Sequence, residues 1–263
     1  MDLGLAGRTV LVTGGSRGLG YAIAEGFLKE GARVTICARD AAQLQRAAET
    51  LAALGDIHAI PADIGREEDV RRLVAAVKER YGELDVLVNN AGGLMPGKFA
   101  EFTDEAWFNV LNGKLLGAFR VTRHALPIMT DRGHGAIINL SGETGKQLFP
   151  NAIATGVVNA AMIAFTKYLS HEVAPRGIRV NSICPGVIRT EGWEQRAERM
   201  GAAQGMDRET FIRHHCQVND IYLGRWGKPE EVANAVVLLA SDRMSYVTGH
   251  TLMVDGGLSK FIA

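Results

Sequence analysis

The chain has 263 residues, 47% of them hydrophobic, and its 29 basic and 29 acidic side chains cancel at neutral pH. This length fits one large α/β domain as well as two small ones, and the apolar content is sufficient for a full core. The composition excludes disorder as the main theme, and a neutral chain has no net field that would recruit nucleic acid or an anionic membrane.

The N-terminus and the longest apolar stretches carry no targeting or membrane signal. Residues 1–4 lack the basic region and apolar run of a signal peptide. The apolar stretches around 152–165 and 232–240 are broken by Thr155, Asn159 and Asn234, and neither reaches the roughly 18 residues of a membrane span. Three widely spaced cysteines give no disulfide framework. We therefore expect a cytoplasmic protein that binds no membrane.

Short β-branched runs alternate with helical patterns along the chain. Strands are predicted at 8–13, 33–38, 58–62, 84–89, 135–140, 179–183 and 251–254. Helices are predicted at 19–30, 40–54, 67–81, 104–119 and 151–174, with Gly31, Gly55 and Gly82 ending the first three. Such alternation predicts one α/β domain over 1–263, built on a doubly wound parallel seven-stranded sheet with helices on both faces.

One segment, 191–226, interrupts this rhythm between the last two strands. An insertion beside the carboxyl ends of the strands is typical of a lid over a ligand crevice, and a surface helical hairpin is the alternative. Its adjacent histidines, His214 and His215, have pKa values suited to proton transfer, or they are simply solvated. With Cys216 they do not suggest a metal site, because neighbouring residues on a helix diverge. No metal site is expected.

A glycine cluster follows the first strand, in the order Thr13-Gly14-Gly15-Ser16-Arg17-Gly18-Leu19-Gly20. Glycines at such a position let the backbone approach a pyrophosphate, which then rests on the N-terminus of the next helix. The cluster follows a predicted strand and opens a predicted helix, and this context makes it a Rossmann-type dinucleotide site.

At this point the sequence resembles the short-chain dehydrogenase/reductase family. Further matching segments are Ala62-Asp63-Ile64, Asn89-Asn90-Ala91-Gly92, Arg179-Val180-Asn181, Pro185-Gly186 with Thr190, the run at 224–233, and Val254-Asp255-Gly256-Gly257. The resemblance covers nearly the whole chain and implies a nicotinamide dinucleotide cofactor. The residues expected to bind it are Gly14, Ser16, Arg17, Gly18, Leu19, Gly20, Arg39, Asp63, Ile64, Asn90, Ala91, Gly92, Pro185, Gly186, Ile188 and Thr190.

The tip of the second strand indicates which dinucleotide is bound. Members of the family that select NAD carry an acid there, whereas this chain has Ala38 followed by Arg39. Arg17 adds a second cation, and guanidinium groups bind phosphate with charge-assisted hydrogen bonds. NADP is therefore favoured over NAD. The alternative is that Asp40 serves as the ribose acid.

The four catalytic positions of the family do not match. Alignment of the flanking residues places Gly142 at the serine, Thr155 at the tyrosine, Asn159 at the lysine and Lys114 at the asparagine. The chain thus resembles a divergent member that lacks the Ser/Tyr/Lys/Asn set. A threonine hydroxyl cannot supply a proton near neutral pH as a lysine-tuned tyrosine can.

Other residues are candidates for the missing chemistry. Lysine and asparagine have exchanged positions, so Lys114 either restores a charge near the nicotinamide ribose or extends to solvent. Glu143 either pairs with Lys114 and acts as acid or base, or is a solvated loop residue. Ser141 should point to the other side of its strand unless the strand end bulges.

Three functions remain open from the sequence. The first is an NADP-dependent oxidoreductase that acts on a carbonyl or alcohol with a non-standard acid/base site. The second is a non-redox enzyme for elimination or isomerisation, and the third is an inactive cofactor sensor or partner subunit. A small-molecule substrate is expected, and by resemblance a homodimer or homotetramer through helices 104–119 and 151–174.

Overall fold

The computed structural model describes residues 2–93, 95–131 and 133–261; Met1, Leu94, Arg132, Ile262 and Ala263, part of the predicted domain 1–263, lie outside them. A seven-stranded parallel sheet runs through the described chain in the order β3-β2-β1-β4-β5-β6-β7. Its strands are β1 Thr9–Thr13, β2 Arg33–Ala38, β3 Ile57–Pro61, β4 Val86–Asn89, β5 Gly135–Leu140, β6 Ile178–Pro185 and β7 Thr251–Val254. The predicted fold class is confirmed.

Helices cover both faces of this sheet because its strands are apolar on both sides. They are α1 Gly18–Lys29, α2 Ala41–Leu51, α3 Glu67–Tyr81, α4 Asp104–Val110, α5 Gly117–Thr130, α6 Ile153–Val173, α7 Glu191–Ala202, α8 Arg208–Val218 and α9 Pro229–Ala240. One core cluster lies among α1, α2, α9 and the sheet. A second lies on the opposite face with α3, α5 and α6. The strand order reverses between β1 and β4, which places a crevice at their carboxyl ends.

Two predicted helices differ in detail from the structure. The predicted helix 104–119 is divided, because a π-helical segment at Leu111–Leu116 separates α4 from α5. The second helix ends at Leu51, before Gly55, and Ala52 caps it. By contrast, Gly82 caps α3 in a left-handed conformation (φ 73°), as predicted.

Helix α6 is more apolar than the sequence prediction allowed. Within the described chain, the stretch Ile153–Arg176 is long and apolar enough to cross a membrane, with a mean hydropathy of 1.2. The expectation that no such stretch exists was therefore wrong. The helix lies against β5 and β6, and Val158, Met162 and Val173 are buried in the fold. A long helix of a protein core meets the same criterion.

Candidate active site

The loop between β1 and α1 forms an open cradle. Gly14 and Gly18 have left-handed backbones (φ 70° and 58°), which glycine adopts without strain. A Cβ atom on Gly20 would collide with the carbonyl oxygen of Gly14, so the helix packs directly on the loop. No side chain caps the N-terminus of α1, whose N-cap residue is Arg17. Its first backbone N–H groups therefore suit an anion.

The segment after β4 is fixed to this loop by hydrogen bonds. Thr13 Oγ1 accepts from the backbone N–H groups of Asn90 (3.0 Å) and Ala91 (3.1 Å). In return, Asn90 Nδ2 donates to the carbonyl oxygen of Thr13 at 2.9 Å. These bonds hold the predicted cofactor residues Asn90, Ala91 and Gly92 beside the glycine cradle.

The segment after β6 lies against the cradle from the other side. A Cβ atom on Gly18 would lie 3.6 Å from Thr190 Cγ2, so these two predicted cofactor residues are neighbours. Gly186 approaches the chain after β7 closely, because a Cβ there would lie 2.8 Å from Asp255 Cα. Pro185 and Ile188 are buried behind this segment.

Asp63 and Ile64 follow β3 at the same edge of the sheet. Asp63 Oδ1 accepts from the Gly65 N–H at 2.9 Å, and the Asp63 N–H donates to Asp69 Oδ2 at 2.9 Å. Ile64 is buried and packs against Gly117, where a Cβ would lie 2.6 Å from Ile64 Cδ1. Hydrogen bonds and packing therefore fix the conformation of the Asp63 turn.

The residues after β2 bear on whether arginines or Asp40 would face the adenosine ribose of the cofactor. Asp40 Oδ1 accepts from the Gln43 N–H at 2.9 Å and caps α2. Ser16 Oγ lies on the other side of Gln43 and donates to its Oε1 at 3.3 Å. Arg17 and Arg39 are exposed, and their guanidinium groups bond to no described residue. The two cations are thus available at the surface, whereas Asp40 is used by its helix.

Lys114 lies in the π-helical segment, and its ammonium group turns into the protein. Its Nζ donates to the Asn159 Oδ1 at 2.7 Å and to the Ser141 carbonyl oxygen at 2.9 Å. Its aliphatic chain packs on Gly92, where a Cβ would lie 2.8 Å from Lys114 Cδ. Of the two orientations open from the sequence, the structure has the one in which Lys114 reaches the crevice.

Asn159 and Gly142 fit one another around this ammonium. Asn159 Nδ2 donates to Thr144 Oγ1 at 2.7 Å, which fixes its carboxamide with the oxygen toward Lys114. A Cβ on Gly142 would lie 2.6 Å from that same Nδ2. Because Gly142 has no side chain, the carboxamide of Asn159 can occupy the space beside it. Thr144 had not been identified from the sequence, although it lies two residues after the serine position.

The hydroxyl groups of Ser141 and Thr155 are used elsewhere. Ser141 Oγ lies 2.7 Å from Ser182 Oγ, so this hydroxyl group bonds to the neighbouring strand β6. Its contribution to the crevice is the carbonyl oxygen that Lys114 contacts. Thr155 Oγ1 accepts from the Met95 N–H at 3.1 Å, so this side chain ties α6 to the 95–98 loop.

Two ionisable groups in the crevice have displaced pKa values. Burial lowers the pKa of Lys114 to about 8, and the nearby Cys184 and Glu143 oppose this shift. Burial also raises the pKa of Glu143 to about 7; its own backbone N–H and Lys114 lower the pKa, whereas Asp255 raises it. Both groups therefore titrate close to neutral pH, where acid and base catalysts operate.

The insertion 191–226 folds mainly around its own core. Helices α7 and α8 enclose a cluster that contains Phe211, Ile212 and Trp226. Trp226 Nε1 donates to His215 Nδ1 at 3.3 Å, and burial lowers the pKa of that histidine. His215 therefore packs within the helical hairpin. Among the described residues, no group of three His, Cys, Asp or Glu side chains could hold a metal ion.

Comparisons with known proteins agree with this architecture. A family model for enoyl-(acyl carrier protein) reductase matches residues 14–259. The chain is 35% identical over 260 residues to the uncharacterized oxidoreductase YvrD of Bacillus subtilis, with 98% of both chains covered. It is 36% identical over 257 residues to the 3-oxoacyl-[acyl-carrier-protein] reductase FabG of Thermotoga maritima, covering 97% of this chain and 98% of the relative.

Solved structures give the same result. L-sorbose reductase from Gluconobacter frateurii, complexed with NADPH and L-sorbose, superposes with a TM-score of 0.95 at 35% identity, covering both chains completely. An NADPH-bound short-chain oxidoreductase from Pseudomonas aeruginosa PAO1 that contains an atypical catalytic center gives a TM-score of 0.90 at 34% identity, covering 97% of this chain and 98% of that one. The chain belongs to the short-chain dehydrogenase/reductase family.

Proposed function

We propose that the protein is an NADPH-dependent reductase of a carbonyl compound, in which Lys114 replaces the usual tyrosine as proton donor. The observation that carries this proposal is the inward-pointing ammonium of Lys114, which donates to Asn159 and Ser141 at the crevice. Relatives and structural neighbours of the chain are ketoacyl reductases and NADPH complexes, which supports the reaction class.

The residues at the cradle fit a nicotinamide dinucleotide phosphate. Gly14, Gly18 and Gly20 leave the space that a pyrophosphate needs, and the uncapped N-terminus of α1 faces it. Arg17 and Arg39 lie at the exposed edge with their guanidinium groups available for a 2′-phosphate. When such a cofactor is bound, its nicotinamide supplies the hydride.

Lys114 has one donor left for a substrate. An ammonium group carries three N–H donors, and two of them bond to Asn159 and Ser141. The third N–H is available to the oxygen of a carbonyl group in the crevice. As hydride adds to the carbonyl carbon, this N–H passes its proton to the oxygen, and the resulting neutral amine regains a proton from solvent. A pKa of about 8 keeps the donor charged at neutral pH.

A second function is favoured by Glu143. A carboxyl group whose pKa is about 7 can abstract a proton from a substrate near neutral pH, as an isomerase or an eliminating enzyme requires. Such an enzyme would change its substrate without consuming NADPH. Cofactor consumption therefore distinguishes the two functions.

The test follows NADPH fluorescence on binding and NADPH absorbance during incubation with a panel of ketones, aldehydes and quinones. We expect tighter binding of NADPH than of NADH, and NADPH consumption with at least one carbonyl compound. Lys114→Met removes the donor and should lower kcat by roughly 10²–10⁴-fold with cofactor binding retained. Lys78→Met, on the exposed end of α3, is the matched control.

Three outcomes would contradict the proposal. Wild-type turnover in Lys114→Met shows that another group donates the proton. Tight NADPH binding without consumption on the whole panel supports a cofactor sensor or the non-redox function. Absence of NADPH binding rules out an NADPH-dependent reductase.

A further inference from the structure

Glu143 lies at the strand end that Lys114 contacts, because the carbonyl oxygen of Ser141, two residues earlier, accepts from Lys114 Nζ at 2.9 Å. Glu143 directly follows Gly142 and begins the short 3₁₀ turn Glu143–Gly145 at the end of β5. Among the described residues, its carboxyl group accepts only from its own backbone N–H. Its charge and that of Lys114 affect each other's pKa, although no ion pair joins them. One N–H of Lys114 and the carboxyl group of Glu143 are therefore both left without a side-chain partner among the described residues.

The neighbours of Glu143 already have partners of their own. From the loop after β7, Asp255 accepts from the N–H groups of Gly257 and Ser259. From β6, the Cys184 thiol accepts from the Gly142 N–H, and burial raises its pKa. The Lys146 ammonium lies 4.7 Å from the centroid of the Phe261 ring. From α6, the carboxamide of Asn159 bonds to Lys114 and Thr144.

We propose that Glu143 selects substrates that carry a hydroxyl group on the carbon beside the reacting carbonyl. This inference rests on the proposed role of Lys114. In an α-hydroxy carbonyl compound, the acceptor and the donor sit on neighbouring carbons, which matches a crevice with one donor and one acceptor. The carbonyl oxygen faces Lys114 Nζ, and the hydroxyl donates to the Glu143 carboxylate.

The reaction leaves this hydroxyl unchanged. Hydride forms a new C–H bond at the carbonyl carbon, the C=O π electrons move to oxygen, and that oxygen takes the proton from Lys114. The product is a vicinal diol, and NADPH is the electron donor. Glu143 only orients the substrate, and the hydrogen bond to its carboxylate holds the carbonyl toward the ammonium.

The test uses three ketones that differ at one position: α-hydroxyacetophenone, its methyl ether and acetophenone. The ether keeps the oxygen but has no donor. We expect wild-type kcat/KM for the hydroxy ketone to exceed that for the ether by about tenfold or more, as a hydrogen bond to a charged group provides. Glu143→Ala should abolish the preference, and Glu143→Gln, which keeps an acceptor oxygen, should retain part of it. Glu79→Ala, exposed on α3, should leave it unchanged.

Binding to the NADP⁺-loaded protein, measured by calorimetry, separates this inference from the proposed function. A preference for the hydroxy ketone that disappears in Glu143→Ala supports the selection even if no ketone is reduced. Equal binding or equal kcat/KM for the hydroxy ketone and its ether overturns the selection even if both are reduced. A preference that persists unchanged in Glu143→Ala also overturns it. Retained NADPH affinity shows that each variant is folded.

The pH dependence of the preference gives a second readout. The carboxylate form of Glu143 accepts the hydroxyl; burial raises the pKa of this carboxyl group to about 7, while its own backbone N–H and Lys114 lower the pKa and Asp255 raises it. The ratio of kcat/KM between hydroxy ketone and ether should therefore rise as pH increases through 7. A ratio that is independent of pH in the wild type contradicts an ionised Glu143 as the acceptor.

Discussion

Lys114 is held in an environment that disfavours its charge. Its two bonding partners are neutral oxygens, and no carboxylate of the described residues forms an ion pair with its ammonium. Removing an ammonium from water without a counter-ion is costly, which is why its pKa falls to about 8. A solvent-exposed orientation would avoid that cost. The inward orientation is therefore better explained by a role in the site than by stability.

The same shift predicts how reduction depends on pH. The charged form of Lys114 donates the proton, and it predominates below a pKa of about 8. The rate of carbonyl reduction should be constant below that value and fall by roughly tenfold per pH unit above it. The measurement is kcat/KM across the pH range for a ketone without an α-hydroxyl group, so that the ionisation of Glu143 does not contribute. Lys114→Met should lack this decline in its residual activity; the same decline in that variant would assign it to another group.

At the level of elements, the site depends on an irregularity in one helix and a vacancy in one loop. The π-helical segment Leu111–Leu116 lies between α4 and α5 and carries Lys114. Single π-helical turns of this kind are often found at functional sites. On the opposite side, Gly142 leaves room for the carboxamide of Asn159, which binds the ammonium from α6. Because Gly142 has no side chain, Asn159 has the space it needs at the lysine position, and Lys114 can reach it from the asparagine position.

Restoring the serine should therefore damage this arrangement. In Gly142→Ser the new Cβ would lie 2.6 Å from Asn159 Nδ2, so the carboxamide must rotate and lose its bonds to Thr144 and Lys114. We expect a loss of about 1–3 kcal/mol of unfolding free energy, typical of overpacking, together with lower turnover. Adding Asn159→Ala removes the clash but not the loss of these two bonds, so it should recover only the part of the stability that overpacking costs.

Thermal unfolding and NADPH consumption measure both effects. Gly192→Ser is the matched control, because a Cβ at that helical position meets nothing within 4 Å. Full stability and wild-type turnover in Gly142→Ser would show that the carboxamide does not need this space.

The sequence predicted the strands well but could not predict the π-helical segment. Apolar strand runs that alternate with helical patterns predicted the sheet, because parallel strands covered on both faces carry apolar residues throughout. The pattern over 104–119 is compatible with a continuous α-helix. It gives no sign of the extra residue that the π-helical segment Leu111–Leu116 has in its turn. The direction of Lys114 depends on that turn and on the vacancy at Gly142. No helix was predicted at Pro229–Ala240, where the structure has α9; the sequence showed only an apolar stretch at 232–240 and a segment at 224–233 that matches the family.

At the level of the whole molecule, one side of α6 remains uncovered. Val157, Ala160, Ala164 and Tyr168 are exposed along this helix, and the Tyr168 side chain is 81% accessible. Next to them a groove between α5 and α6 is lined by Phe119, Leu126 and Phe165. An exposed apolar strip with small residues at its centre allows two helices to approach closely, which suits contact between copies of the chain.

We therefore expect a homodimer or homotetramer that forms through α5 and α6. Ala164→Arg places a charged, bulky side chain at the centre of the strip without changing the buried core, and it should lower the molar mass measured by light scattering during size-exclusion chromatography. Ala53→Arg, which is exposed on the loop after α2, should leave that mass unchanged. The crevice at the carboxyl ends of β1 and β4 lies at another part of the molecule, so the dissociated variant should still bind NADPH. An unchanged mass in Ala164→Arg would place the contact between copies on a different face.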